Sequence, residues 1–213
     1  MSLKKYHCAA VLVILMSFAA SASANLFSRP GGMVYDSDLN ITWLQDGNYA
    51  KTSGYDADGL MDWSTAMAWA DNLVYGGYSD WRLPTTGTPD ASCDEFNYNC
   101  IGSELGYLFY HDLGVIAHNT ATTGNALELA KFVNMQTYVY WSATEYSTSS
   151  TAMTFIFGNG YEGLGGEGTE FNAWAVRTGD VAAVPLPATT WLFGSALASL
   201  GVLGSRKSRR KAI

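Results

Sequence analysis

Short runs of alternating hydrophobic and polar residues, separated by turn-forming clusters, fill most of this chain, and two stretches break into a helical rhythm. Met33-Val34-Tyr35 and Ile41-Thr42-Trp43-Leu44 are β-rich and flank Asp36-Ser37-Asp38-Leu39-Asn40, which predicts a hairpin. From Trp63 to Val74 the period changes: Trp63, Ala66, Met67, Ala70, Leu73 and Val74 fall on one helical face. Asp62 is placed to cap that helix and Gly76-Gly77 to stop it. A shorter helix is predicted from Glu104 to Leu113, with Ser103 as cap, Gly114 as stop, and Leu105, Leu108, Phe109 and Leu113 facing the core. Three strand-like runs follow, Tyr138 to Ala143, Ala152 to Phe157 and Ala173 to Thr178, the last two joined by the glycine-rich stretch Gly158 to Gly168. Early helices and late antiparallel strands predict an α+β fold.

The two ends follow a different logic. Lys4 and Lys5, an apolar run from Ala9 to Ala20, and Ala22-Ser23-Ala24 make residues 1–24 a signal peptide cut between Ala24 and Asn25. An uncleaved anchor is the alternative, set back by the shortness of the apolar run. Near the other end, Pro185-Leu186-Pro187 precedes Ala188 to Gly204, an apolar stretch without a charge, and then Arg206, Lys207, Arg209, Arg210 and Lys211. About 17 residues span roughly 25 Å as a helix, enough for a marginal transmembrane segment over 188–204. The basic tail would stay in the cytoplasm and leave residues 25–182 outside.

This ending resembles the PEP-CTERM sorting signal, here in the form Val184-Pro185-Leu186-Pro187-Ala188. The resemblance implies processing by an exosortase after signal peptidase. The chain would pass through an inner-membrane-anchored intermediate to the cell surface or extracellular matrix of a Gram-negative bacterium.

Between the signals, five basic residues (Arg29, Lys51, Arg82, Lys131, Arg177) face all nineteen acidic ones, a formal charge of −14. Nucleic acid and anionic lipid are therefore poor partners, because both are bound through cationic neutralisation. Cations or neutral sugars suit the charge better. Cys93 and Cys100 are the cysteines of this region, and outside the cell they would form one disulfide. Zinc or free thiols are the alternatives; no further cysteines or spaced histidines complete a zinc set.

A second resemblance rests on three ordered motifs. Gly77-Tyr78-Ser79-Asp80-Trp81-Arg82-Leu83-Pro84-Thr85, Tyr140-Trp141-Ser142-Ala143-Thr144-Glu145-Tyr146 and Ala173-Trp174-Ala175-Val176-Arg177 are similar to signatures of the DUF1566 family, also called the Lcl C-terminal domain. The match runs from about Val34 to Asp180. It implies a fold of the C-type-lectin-like or sulfatase-modifying-factor-like kind. The family's named adhesin takes sulfated glycosaminoglycans, which an acidic domain repels.

Candidate chemistry is sparse. Asp56, Asp58 and Asp62 surround a glycine in the way oxygen ligands of calcium do, and calcium is the one cofactor this spacing suggests; a solvated loop with Asp62 as helix cap is the plain alternative. Gly158-Asn159-Gly160-Tyr161-Glu162-Gly163 spells a dinucleotide fingerprint, but no helical pattern follows it. Tyr161, Glu162, Glu167 and Glu170 in that stretch would instead line a ligand loop. Trp81, Trp141 and Trp174 are expected inside, with Arg82 bound to a carboxylate or to backbone carbonyls. His111 and His118 belong to no nucleophile or metal motif, so no catalytic residue is assigned. The reading is a non-enzymatic carbohydrate-binding or structural module of the cell surface or exopolysaccharide matrix. A carbohydrate-active enzyme using a carboxylate pair, and a matrix scaffold without ligand, are the competing readings.

Overall fold

The predicted hairpin forms, and it is the middle of a larger sheet. In the computed structural model, residues 25–87, 90–93, 96–146 and 150–181 are described. The expected signal peptide with Ala24, the Pro185-Leu186-Pro187 motif, segment 188–204 and the basic tail lie outside them. No helix among the described residues is long and apolar enough to cross a membrane.

Strand β2 (Met33–Asp36) runs antiparallel to β3 (Ile41–Leu44), pairing Met33 with Leu44 and Asp36 with Ile41. The turn closes because Asp36 Oδ1 accepts from the Asp38 and Leu39 amides at 2.9 and 3.1 Å, and Asn40 takes the left-handed conformation asparagine tolerates. β1 (Leu26–Arg29) adds to β2, and β9 (Val176–Thr178) to β3, giving the order β1-β2-β3-β9 among the described residues. The beginning and end of the described domain thus share one sheet, and Arg29 Nε clasps Asp180 at 2.7 Å across it.

A second sheet has the order β4 (Leu60–Met61), β8 (Phe171–Asn172), β5 (Val139–Tyr146), β6 (Thr151–Ile156), β7 (Tyr161–Gly166). Its β5–β8 contact is parallel and the other pairings antiparallel. The glycine-rich stretch is therefore not a connecting loop, as its composition predicts, but largely a strand paired with β6. A Cβ at Gly165 would lie 2.6 Å from Phe171 and 2.8 Å from Trp141, so aromatic rings occupy the space that a side chain would need. The third predicted run also changes: Ala173, Trp174 and Ala175 are buried but bridge β8 and β9 outside either strand.

Both helices start where their caps predict. Asp62 Oδ1 accepts from Thr65 N at 2.7 Å to open α2 (Trp63–Asp71), and Ser103 Oγ accepts from Gly106 N at 2.9 Å to open α3 (Glu104–Tyr107). Their ends differ. Asn72 donates its side-chain amide to Ala68 O at 2.7 Å and terminates α2 early, leaving Val74 exposed and Gly76-Gly77 in a separate Tyr75–Tyr78 turn. Trp69, rather than Leu73 or Val74, joins Ala66 and Ala70 on its buried face. Beyond α3 the chain widens into a π turn over Leu108–Asp112, closed by Leu113 N to Leu108 O at 2.9 Å. Leu105, Leu108, Phe109 and Leu113 are all buried, as predicted. Two further single turns, α1 (Tyr49–Thr52) and α4 (Ala126–Leu129), have no periodicity to announce them.

The core is aromatic. Trp174 meets Trp43, Tyr140 and Phe157 at centroid distances of 5.2, 5.6 and 5.9 Å, and Phe109 meets Phe155 and Phe157 at 5.4 and 5.6 Å. Buried indoles usually find an acceptor for the N–H. Trp174, Trp141 and Trp63 accordingly donate to the carbonyls of Leu44, Met61 and Ser142, each at 2.8 Å; the Trp43 N–H has no acceptor among the described residues.

Candidate functional site

The three signature motifs meet, and their contacts hold the fold together. Arg82 and Val176 exchange backbone hydrogen bonds at 2.8 Å, and Ala143 N donates to Pro84 O at 2.7 Å. Arg177 grips Asp80 with two bonds of 2.8 and 2.9 Å while lying 4.0 Å over the Tyr78 ring. That grip holds the Asp80 carboxyl below its ordinary pKa. Arg82 takes Glu104 through two bonds of 2.7 Å and also donates to Leu83 O. Trp81 is buried, donating to Tyr75 O at 3.2 Å. These bonds tie the residues chiefly to one another, and Arg82 also borders a pocket with Met67, Ala68, Asp71 and Leu83.

A second set of polar side chains converges elsewhere, linked by its own hydrogen bonds: Asn134 Nδ2 donates to Thr52 Oγ1 at 3.4 Å and Gln136 Nε2 to Asn134 O at 2.7 Å. A groove of about 410 Å³ is lined by Asn48, Lys51, Thr52, Asn134 and Gln136. Its halves come from distant parts of the chain, joined by a parallel bridge between Asp46 and Val133 with Gly47 N to Val133 O at 2.9 Å. Asp46 organises both: its Oδ1 accepts from Asn48 N and its Oδ2 from Asn134 Nδ2, each at 2.9 Å. The buried Tyr140 hydroxyl donates to Gly47 O at 2.9 Å and accepts from Gln136 N at 2.8 Å, fixing the floor. Asn134 adopts φ of 53°, and Asn48 is buried with its Oδ1 lacking a donor. Gly59, at φ of 84°, makes room for that amide, since a Cβ there would lie 2.0 Å from Asn48 Oδ1. Amides and hydroxyls both donate and accept, which matches the hydroxyls of a sugar, and Lys51 adds three donors. The volume falls in the ordinary range of small-ligand sites.

The residues named from sequence are distributed differently. Asp56 Oδ1 accepts from Asp58 N and Gly59 N at 3.1 and 2.8 Å, Asp58 Oδ1 from Leu60 N at 3.0 Å, and Asp62 caps α2. Desolvation is the largest single influence on Asp56 and raises its pKa, but the Gly59 and Asp58 amides together hold it below the ordinary value; Thr65 N–H lowers that of Asp62. These carboxylates shape local turns, and they are not among the described clusters whose ligand atoms converge within 4.8 Å. Tyr161 and Glu162 are neighbours on a strand and so point to opposite faces. Tyr161 packs on Tyr98 with centroids 5.3 Å apart, Glu162 is buried, Glu170 is exposed, and the Glu167 Oε1 is buried without a donor. They do not line one loop. Cys93 and Cys100 form a disulfide.

Two groups of acids are buried where the sequence predicts exposed loop and turn positions or marks nothing. Glu162 lies beside Asp90 and the disulfide, its ligand atoms within 4.8 Å of theirs, and burial raises its pKa to about 7 against a bond from Ser103. Asp36 and Asp112 face each other in the interior, and burial raises both. A signal existed for Asp112: it follows Leu108 by four residues and Phe109 by three, on the apolar stripe itself. The groove had none, because Asn48 and Asn134 are brought together only by the fold.

Geometry thus defines an α+β domain with an amide-lined surface groove and acids sequestered inside it. The chain belongs to the Lcl C-terminal domain family, whose sequence model matches residues 32–177, from the start of the hairpin into β9. No curated protein and no solved structure matches it.

Proposed function

We propose that this protein is an exported, non-enzymatic carbohydrate-binding module of the cell surface or exopolysaccharide matrix, and that its ligand is a neutral polysaccharide held in the groove of Asn48, Lys51, Thr52, Asn134 and Gln136. The observation that carries the reading is that groove: three amides and a hydroxyl converge there beside the Lys51 ammonium, with no carboxylate among the lining residues, on a domain whose formal charge is −14. Export rests on the amino-terminal and PEP-CTERM-like signals in the sequence, with an exosortase as processing partner and an inner-membrane intermediate before release. A C-type-lectin-like arrangement is the architecture the family resemblance favours for such a module. Catalysis by a carboxylate pair is disfavoured by burial, since Glu162 and Asp112 are 1% and 2% exposed and out of reach of a polymer.

The test is a glycan array with and without calcium, run beside hydrolysis assays on the same polysaccharides. Saturable binding of a neutral glycan, reduced at least tenfold by the double substitution Asn134→Ala and Gln136→Ala, is expected. Turnover abolished by one Asp or Glu substitution would replace the reading with an enzyme. Absence of any saturable ligand would leave a scaffold.

A further inference from the structure

The turn between β2 and β3 carries Asp36 and Asp38 to the π turn that bears His111 and Asp112. One ligand atom each from Asp38, His111 and Asp112 lies within 4.8 Å of the others. His111 Nδ1 is 3.0 Å from Asp112 Oδ1 and 3.9 Å from Asp38 Oδ2. Behind them, Asp36 Oδ2 and Asp112 Oδ2 are buried and meet no donor, in residues only 0% and 2% exposed. An ionised carboxylate can only accept, so two facing ones set lone pair against lone pair. The two carboxyls instead share a side-chain hydrogen bond, whose proton a bound cation would replace.

We propose that Asp38, His111 and Asp112, backed by Asp36, form a binding site for one divalent transition cation of the zinc or manganese type. The donor set makes the choice: calcium and magnesium take oxygen ligands, whereas an imidazole beside carboxylates suits zinc or manganese. A spread of up to 4.8 Å needs only a small contraction to place ligands around a cation at about 2.1 Å. Access is graded. His111 and Asp38 side chains are 44% and 29% exposed, while that of Asp112 is 0%. The imidazole and the Asp38 carboxyl form a rim over a floor of buried carboxyls.

The rim is also braced in the way metal ligands are. Tyr107 stacks on His111 with centroids 4.4 Å apart and donates its hydroxyl to Asp38 Oδ2 at 3.3 Å. The π turn supplies the geometry, since the widened helix sends Asp112 into the core while its neighbour His111 stays at the surface. The site is independent of the groove, and its failure would leave the glycan reading untouched.

The full chain, stripped with a chelator, is titrated with zinc chloride and separately with manganese chloride by calorimetry, with calcium chloride as control. One of the two transition cations should bind saturably at one per chain and raise the melting temperature. His111→Ala, which removes an exposed ring, and Asp112→Asn, which removes a buried carboxyl, should each weaken that binding at least tenfold. If neither cation binds saturably, or if either variant binds as tightly as the parent, the site is overturned and a proton joins the two carboxyls.

Discussion

Neutralising Glu162 should remove a pH-dependent penalty from the domain. The carboxyl is 1% exposed, its Oε2 has no donor, and the Asp90 carboxylate adds repulsion to the dominant desolvation. Its folded pKa of about 7 stands above the ordinary 4.5, so the folded state holds this proton more tightly than the unfolded chain does. Stability from that preference is complete below the unfolded value and is lost as pH rises through the folded one. The interval from 4.5 to about 7 corresponds to about 3 kcal/mol, at about 1.4 kcal/mol for each tenfold change in proton affinity. Glu162→Gln keeps the shape and cannot ionise. In urea unfolding the variant should match the parent near about pH 4 and exceed it by up to about 3 kcal/mol near about pH 8. The difference between the two curves isolates this residue from Asp36 and Asp112, which titrate in both proteins. A difference that stays constant between those pH values refutes the reasoning.

Glu104→Ala should cost about 1.5–3 kcal/mol in chemical denaturation, because Arg82 and the Thr85 amide both lose a charged acceptor. Replacing both Cys93 and Cys100 by Ser should lower stability by about 2–3 kcal/mol on the chain-entropy model, seen as an earlier urea midpoint. Substituting Pro185 and Pro187 together should leave uncut protein in the inner membrane, detected by intact mass; export at the parent's processed mass would remove the exosortase assignment.

Local chemistry made part of this fold legible. The hairpin was readable because Asp36 and Asn40 are turn formers between β-rich runs, and both predicted helices could be entered at Asp62 and Ser103 because a cap is a contact of three residues. Helix ends were harder, since Asn72 stops α2 through a side-chain bond that the apolar stripe does not record. Strand β7 was illegible for a different reason. Its glycines erase the alternation that marks a strand, and their purpose appears only when Trp141 and Phe171 are seen against them. The groove is a long-range product, built by a bridge from Asp46 to Val133 between segments with no periodicity of their own. The bracing role of Trp81 and Arg82 was legible from their residue types, but their partners, Glu104 for Arg82 and Arg177 for the adjacent Asp80, are long-range and appear only in the fold.

The sharing of one sheet by the first and last strands has a mechanical consequence. Tension applied between the two ends of the described domain would enter and leave through β1-β2-β3-β9. The Arg29–Asp180 clasp lies across that load path, and Arg177–Asp80 anchors the final strand to the body of the domain. The sheet containing β5 and β6 is outside the direct line of force, so a pulled molecule should give way first at the seam where its two ends meet.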